Sequence, residues 1–374
     1  MRVVVIGGGV AGLACAHALL RVGIRPTVIE PGDARPEPWK GLLLFEEGLV
    51  RLASLGLEAR VVARGQRLER IDTFRPDGEA VGAVLLDRAV GVLQGHLIEE
   101  LTQALPAGVV RRGVRALELL RDARGDAHAV RCSDGSEVVG DLFVACDGAR
   151  SRLRAQVAPE RHAGEVRLHE IVGHVDDPDL AAELGPRLVK LEHPAGGLAF
   201  GVVPCGAGRL VWYVQLDAER HRSDVHTANE RARLVHRLVG DFRHPVPRLL
   251  GRTDFEHSRL WHTTDLDALP RLHAANVALA GDAAHVLLPF TGQGAGAALA
   301  DAEELARALH RALRDGGATT DPTRHRAQIA AALEDYTRSR LPSVRRMVAS
   351  GRTLRDRFLA RRPHGPDSEI PIGR

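Results

Sequence analysis

Apolar residues run unbroken over Val3-Val4-Val5-Ile6, stop at Gly7-Gly8-Gly9, and resume in an Ala/Leu-rich stretch to about Arg21. A second apolar run, Pro26-Thr27-Val28-Ile29, ends at Glu30. That order predicts a strand, a glycine turn, a helix and a second strand. From Glu118 the pattern changes to short strands and turns, and Leu142–Cys146 reads as a buried strand entering an Asp147-Gly148 turn and a basic, helix-like segment. Between residues 165 and 260, alternating stretches such as Leu188–Glu192 and Arg209–Leu216 predict antiparallel strands joined by glycine-rich turns. Helices are expected around Thr227–Val239 and Val246–Leu250. A last buried strand begins at Asn276, and a helix follows from about Ala297 to Leu313.

Composition narrows the class of protein. Hydrophobic residues make up 44% of 374 and both signs of charge are mixed, which argues against a disordered or fibrous chain. No apolar run approaches the ~18 residues of a membrane span, so no membrane partner is expected. Cys15, Cys132, Cys146 and Cys205 form neither a CxxC nor a metal spacing, so no metal is expected and a reducing, cytoplasmic setting fits. A short apolar N-terminus with Ala14-Cys15-Ala16 mimics a secretory signal, but the glycines inside it and the strand that follows disfavour that reading. Residues 338–362 hold nine arginines against Asp356, in a chain of net charge +3. No aromatic platform accompanies them, so this segment reads as a solvated helix rather than a nucleic-acid arm.

The candidate chemistry begins at Gly7-x-Gly9-x-x-Gly12. Gly7 permits a tight turn, Gly9 lets backbone approach a pyrophosphate, and Gly12 lets the helix pack close to its strand. Val10 and Ala11 lie at the helix start, where unpaired N–H groups favour a phosphate. Glu30, 18 residues after Gly12, stands where a carboxylate can accept from ribose hydroxyls and disfavours a 2′-phosphate. This motif alone does not choose between FAD and NAD. The longest signature is Gly281-Asp282-Ala283-Ala284-His285 through Pro289 to Gly292-Gln293-Gly294-Ala295-Gly296. It reads as a close-approach glycine, a carboxylate able to accept from ribose or ribitol, and a turn whose amides and helix dipole stabilise negative charge. His285 reads as a hydrogen-bonded structural histidine, with no partner carboxylate evident from spacing.

Together, Gly7–Gly12, Asp147–Arg154 and Gly281–Gly296 resemble the FAD-dependent monooxygenases of the para-hydroxybenzoate hydroxylase-like (aromatic-ring hydroxylase) family. Tyr336–Pro342 is similar to the family's closing helix, so the resemblance covers nearly the whole chain. It implies an α/β fold: a Rossmann-like FAD-binding domain (1–70, 85–164 and 266–320), an inserted mixed or antiparallel substrate sheet (71–84 and 165–265), and C-terminal helices (321–362). Residues 363–374 are expected to be a disordered tail. The resemblance also assigns Asp147 and Gly148 to the flavin and, in part, the nicotinamide, and Asp282 to the ribitol. Pro289, Gly292, Gln293 and Gly294 would shape the flavin face. Two departures stand out. Gln94 occupies a position where many members carry an arginine facing the FAD pyrophosphate, and Arg35 is a substitute near the ribose and pyrophosphate. Trp39 lies near the flavin edge or packs beneath its loop.

The implied cycle has NAD(P)H reduce FAD, O2 form a C4a-hydroperoxide, and one oxygen hydroxylate or epoxidise an aromatic or bulky apolar, polyketide-like molecule. NADH or NADPH would bind transiently, since no second GxGxxG is present. Trp39, His169, His174, Phe200, Trp212 and Tyr213 are the candidates to meet substrate, and no catalytic residue is named. A monomer or homodimer is expected. The alternatives are an FAD-binding reductase or oxidase, or a redox-silent, cyclase-like flavoprotein. A halogenase fits less well, lacking the Trp-x-Trp-x-Ile-Pro signature.

Overall fold

The structure is a computed structural model and describes residues 1–32, 40–159, 164–221, 225–317 and 319–360. Its first layer is a six-stranded sheet in the order His273–Ala274, Val277–Leu279, Leu142–Ala145, Val3–Ile6, Pro26–Glu30 and Val110–Arg112. All neighbours are parallel except the two-residue edge strand at His273. Each residue of Val3–Ile6 and Leu142–Ala145 is buried, as expected of parallel strands covered on both faces. The helix Val10–Arg21 packs on the 23-residue helix Gly294–Gly316, and the helix Pro322–Leu359 lies against the latter.

Two expectations for the C-terminal part differ in detail. The helix expected at about Ala297 begins at Gly294, so the Gly-Gln-Gly turn leads straight into its first turn. The C-terminal helices are a single element that continues through Pro342. Proline removes one helical hydrogen bond there. Burial of Tyr336, Arg340, Leu341 and Val344 on either side, with the Tyr336 hydroxyl donating to the Leu279 carbonyl at 2.8 Å, holds the element together. The tail from Pro363 lies outside the described residues. Among the described residues, no helix is long and apolar enough to cross a membrane.

The second layer is an eight-stranded mixed sheet in the order Arg259–Thr263, Leu168–Asp176, Arg209–Asp217, Leu198–Pro204, Arg187–Glu192, Gln66–Phe74, Ala80–Leu93 and Gly41–Phe45. Its strands from the first half of the chain extend on both sides of the expected 71–84 segment. A three-stranded sheet, Ala116–Arg121, Ala127–Cys132 and Glu137–Val139, stands apart.

Strand alternation gives the large sheet two different faces. On one, Ile171, Val189, Leu191, Phe200, Val202, Trp212, Val214 and Leu216 form an apolar core with the helices Ala228–Val239 and Val246–Arg252. Phe200 and Trp212 are stacked at 5.8 Å there with no exposure, and the Trp212 indole N–H donates to Thr253 Oγ1 at 2.9 Å. Their assignment to the substrate cavity is therefore corrected. The register pairs Gly173 with Trp212, and the missing side chain at Gly173 makes room for the indole on the helix-covered face.

Candidate active site

Three backbone segments meet at the C-terminal ends of adjacent parallel strands. The Cys146 N–H donates to the Ile6 carbonyl at 2.8 Å, and the Ala280 N–H to the Ala145 carbonyl at 3.0 Å, so the turns after these strands lie side by side. This is where open α/β sheets bind ligands. Gly7 has φ of +109°, and a Cβ there would lie 2.2 Å from the Cys146 carbonyl oxygen. At Gly12 a Cβ would fall 1.8 Å from the Gly7 oxygen, so the helix start requires glycine to sit against the strand end. Val10 and Ala11 are buried in the helix's first turn. A Cβ at Gly9, by contrast, would have no neighbour within 4 Å.

Glu30 is engaged with this turn. Its Oε2 accepts from the Gly8 N–H at 2.5 Å and its Oε1 from the Gly32 N–H at 2.8 Å. A carboxylate has about four lone-pair sites, so capacity for further donors remains. Arg35 and Trp39 lie outside the described residues. Gln94 is half-buried at the start of the helix Gln94–Gln103, and its N–H donates to the Lys40 carbonyl at 2.7 Å.

In the second segment, Asp147 Oδ2 accepts from the N–H groups of Arg152 (3.0 Å) and Leu153 (3.4 Å), while its buried Oδ1 has no partner. Gly148 has φ of +81°. The Arg154 guanidinium is buried and donates to the carbonyls of Asp282 (3.0 Å), Ala283 (3.3 Å) and Ala149, tying the second segment to the third. Burial lowers its pKa, partly opposed by Asp147 and Asp282.

The third segment is locked from behind. Gly281 has φ of +61° and abuts the first helix, since a Cβ there would lie 2.6 Å from that of Ala11. Its N–H donates to Asp301 Oδ2 at 2.7 Å. The same oxygen meets His285 Nε2 at 2.6 Å, while Asp301 Oδ1 accepts from Arg340 Nε at 2.7 Å. All three side chains are buried. Burial alone would lower the His285 pKa, but Asp301 outweighs it and raises it. Burial would raise Asp301, but His285 and Arg340 hold it below the usual carboxylate range. His285 is thus a structural residue with a carboxylate partner, which sequence spacing did not reveal. Asp301 looks like one acid in an ordinary helix, and Arg340 like one of many arginines.

Beyond this lock, the Asp282 side chain is exposed. Pro289–Thr291 forms a short turn, Gly292 follows at φ of +60°, and Gln293 precedes the first turn of Gly294–Gly316. No side chain caps that helix, so the amides at Gly294, Ala295 and Gly296 offer donors and the positive end of a long dipole.

The large sheet closes the other side through its second face. Leu168 and Ala199 cluster with Leu288, Phe290 and Phe358, while Val172, Val203 and Val211 cluster with Phe45. A Cβ at Gly292 would lie 2.8 Å from Phe45 Cε2, so the flavin-loop candidate and this sheet face adjoin. His174 sits toward the far end of its strand, edge-on to His257 at 6.3 Å, and like Tyr213 it stands off the helix-covered core. Tyr213, a sequence candidate, lies between the two apolar groups, and the residues missed are its polar neighbours there: Glu170, Gln215, Lys190 and Glu192. Alternation places each of them on this face.

An unfilled turn at Gly9, an unpartnered buried oxygen on Asp147 and an uncapped helix start at Gly294 suit a ligand with a diphosphate, hydroxyls and an anionic ring edge. The comparisons identify it. The family model described as FAD binding domain matches residues 1–349. The aurachin C monooxygenase/isomerase of Stigmatella aurantiaca is 30% identical over 322 residues, spanning 83% of this chain and 80% of that protein. The 3-amino-4-hydroxybenzoate 2-monooxygenase PtnB3 of Streptomyces platensis is 29% identical, spanning 99% and 91%. The structure of Klebsiella pneumoniae HpxO with FAD and uric acid superposes with a TM-score of 0.82 at 27% identity, covering 99% of this chain and 90% of that one. The chain belongs to the FAD-binding domain family and is an FAD-dependent monooxygenase.

Proposed function

We propose that this enzyme hydroxylates an aromatic small molecule bearing polar substituents, bound between the flavin loop and the second face of the large sheet. The observation that carries this reading is the charged and amide side chains on that face, opposite the turn at Pro289–Gln293. A bulky apolar, polyketide-like substrate would desolvate these groups and leave the buried Gln215 Oε1 without a donor, at a cost of roughly 1–3 kcal/mol for that atom alone. Relatives named for aurachin C, 3-amino-4-hydroxybenzoate and urate support a ring substrate with polar edges.

Each motif takes a role in this reading. The Gly7–Gly12 turn with Val10 and Ala11 holds the diphosphate, and Gln94 lies beside it. Glu30 accepts from the ribose, Asp282 accepts from the ribitol, and Asp147 with Gly148 borders the flavin. Pro289 and Gly292 set the distance between ring and substrate face, and the amides of Gln293, Gly294 and Ala295 stabilise negative charge at the ring's anionic edge. When bound, FAD supplies electron transfer and O2 activation; the protein supplies orientation, charge and a dry enclosure.

Asp282→Ala removes the exposed acceptor without touching the buried lock. FAD affinity should fall by roughly 10- to 150-fold, as for loss of a hydrogen bond to a charged group. Equilibrium dialysis of FAD against both proteins checks this, and unchanged affinity would refute the assigned role. The functional reading is tested by anaerobic mixing of the yellow protein with NADH and NADPH, with and without polar aromatic compounds. Bleaching that accelerates with such a compound supports it; a flavin that neither nicotinamide reduces contradicts it.

A further inference from the structure

The polar stripe on the large sheet has an internal order. Cross-strand register aligns Trp261, Glu170, Gln215, Ala199 and Glu192 in one row. The next row on the same face is Val172, Tyr213, Gly201 and Lys190. Small residues at Ala199 and Gly201 leave the centre low, and Tyr213 lies across the gap, since a Cβ at Gly201 would be 2.1 Å from its Cζ. Lys190 and Glu192 pair at 2.5 Å along one wall.

On the other wall, Gln215 Nε2 donates to Glu170 Oε1 at 3.0 Å. Gln215 is 5% exposed, and its Oε1 is buried without a hydrogen-bond partner. Such an orphan acceptor costs free energy unless something donates to it. Glu170 is enclosed by protein yet keeps accessible surface. Burial pushes its pKa up, against the donor from Gln215 and the charge of Lys40. Burial also pushes the Tyr213 hydroxyl up, reinforced by the charges of Glu170 and Glu192. Tyr213 therefore stays protonated, and the acceptors on this wall are Glu170 and Gln215. The wall is adjacent to the loop, because Ala199, paired with Gln215, packs against Leu288 and Phe290.

Resting on the reading that this face meets the substrate, we propose that Glu170 and Gln215 form the specificity-determining pair, selecting an aromatic molecule that presents an O–H or N–H donor from its ring. Glu170 accepts from that donor and Gln215 Oε1 takes a second. Donation to a carboxylate raises electron density in the ring, which suits attack on an electrophilic oxygen. A substrate whose edge is a carboxylate would face the negative charge of Glu170 and is selected against at this wall.

The test uses the full FAD-loaded chain and three probes of similar size: 2-naphthol, 2-methoxynaphthalene and 2-naphthoate. Equilibrium dialysis measures each affinity without requiring turnover, and the visible absorbance of the same samples gives FAD content. The wild type should bind 2-naphthol about 10- to 100-fold more tightly than the ether. Glu170→Gln should bring that ratio to within about threefold, improve 2-naphthoate binding and leave FAD content unchanged. A purely structural role would weaken all three probes alike, and that result would overturn the proposal. So would a wild-type ratio below about threefold, or a ratio that persists in the variant. If Glu170→Gln fails to fold, Gln215→Met decides: a reduced ratio supports the pair and an unchanged one refutes it. A yellow protein that binds the probes without the preference refutes the pair alone, whereas one that binds none of the three refutes the reading that this face meets an aromatic substrate, and the pair with it.

Discussion

Asp301→Asn is expected to lower the unfolding free energy by about 3–5 kcal/mol, the usual cost of breaking a buried ion pair by removing one partner. Asp301 is fully buried, and Arg340 beside it is 4% exposed. Without the carboxylate, the buried guanidinium loses its ion-pair partner and His285 loses the partner that keeps it protonated. The Gly281 N–H also loses a charged acceptor, so the backbone that presents Asp282 loosens. Urea unfolding of both proteins checks this, and an unchanged midpoint would contradict it.

The same lock makes stability depend on pH in two windows. The folded pKa of His285 is raised above its ordinary value of 6.5, so its contribution is complete below that value and is lost as pH rises through the folded pKa. The folded pKa of Asp301 is depressed below 3.8, so its contribution is present above that value and is lost as pH falls through the folded pKa. Asp301→Asn should flatten both flanks of the stability profile. A variant as steep as the wild type on the alkaline side would show that His285 draws its proton from another group.

Gly9 and Gly12, three residues apart in sequence, should separate folding from cofactor binding. Gly12→Ala would place a methyl 1.8 Å from the Gly7 carbonyl oxygen, forcing the helix off its strand. Overpacking of this kind costs about 1–3 kcal/mol of stability, and the displaced helix start would lose FAD as well. Gly9→Ala meets no protein atom within 4 Å, so the variant should unfold like the wild type. Its methyl occupies the approach that the diphosphate needs, and FAD affinity should fall at least about 100-fold. A Gly9→Ala protein that binds FAD like the wild type would remove the diphosphate from this turn.

The parts of the fold that were legible in the sequence are those where backbone geometry restricts residue type. Gly7, Gly281 and Gly292 have positive φ, and Gly12 sits where a backbone oxygen leaves no space, so each leaves a fixed mark. Glu30 was legible because it ends a strand at a set distance from the turn. Asp301 and Arg340 were not, because packing of two long helices brings them to His285 from 16 and 55 residues away. Alternation in residues 165–260 predicts antiparallel strands but not which of their faces looks toward the flavin loop. That is why Phe200 and Trp212, the conspicuous aromatics, were expected in the cavity while Glu170 and Gln215 were overlooked. Which face is covered depends on the helices Ala228–Val239 and Val246–Arg252, whose placement no strand pattern encodes.

This chain is expected to transfer one oxygen atom from O2 to a ring held against the large sheet. Turnover under isotopically labelled O2, with NAD(P)H and a polar aromatic substrate, tests it most directly by mass spectrometry of the product. One labelled oxygen should appear in the product for each nicotinamide oxidised, and the other in water. Stoichiometric hydrogen peroxide with an unlabelled, unchanged aromatic compound would contradict it and mark the protein as an oxidase.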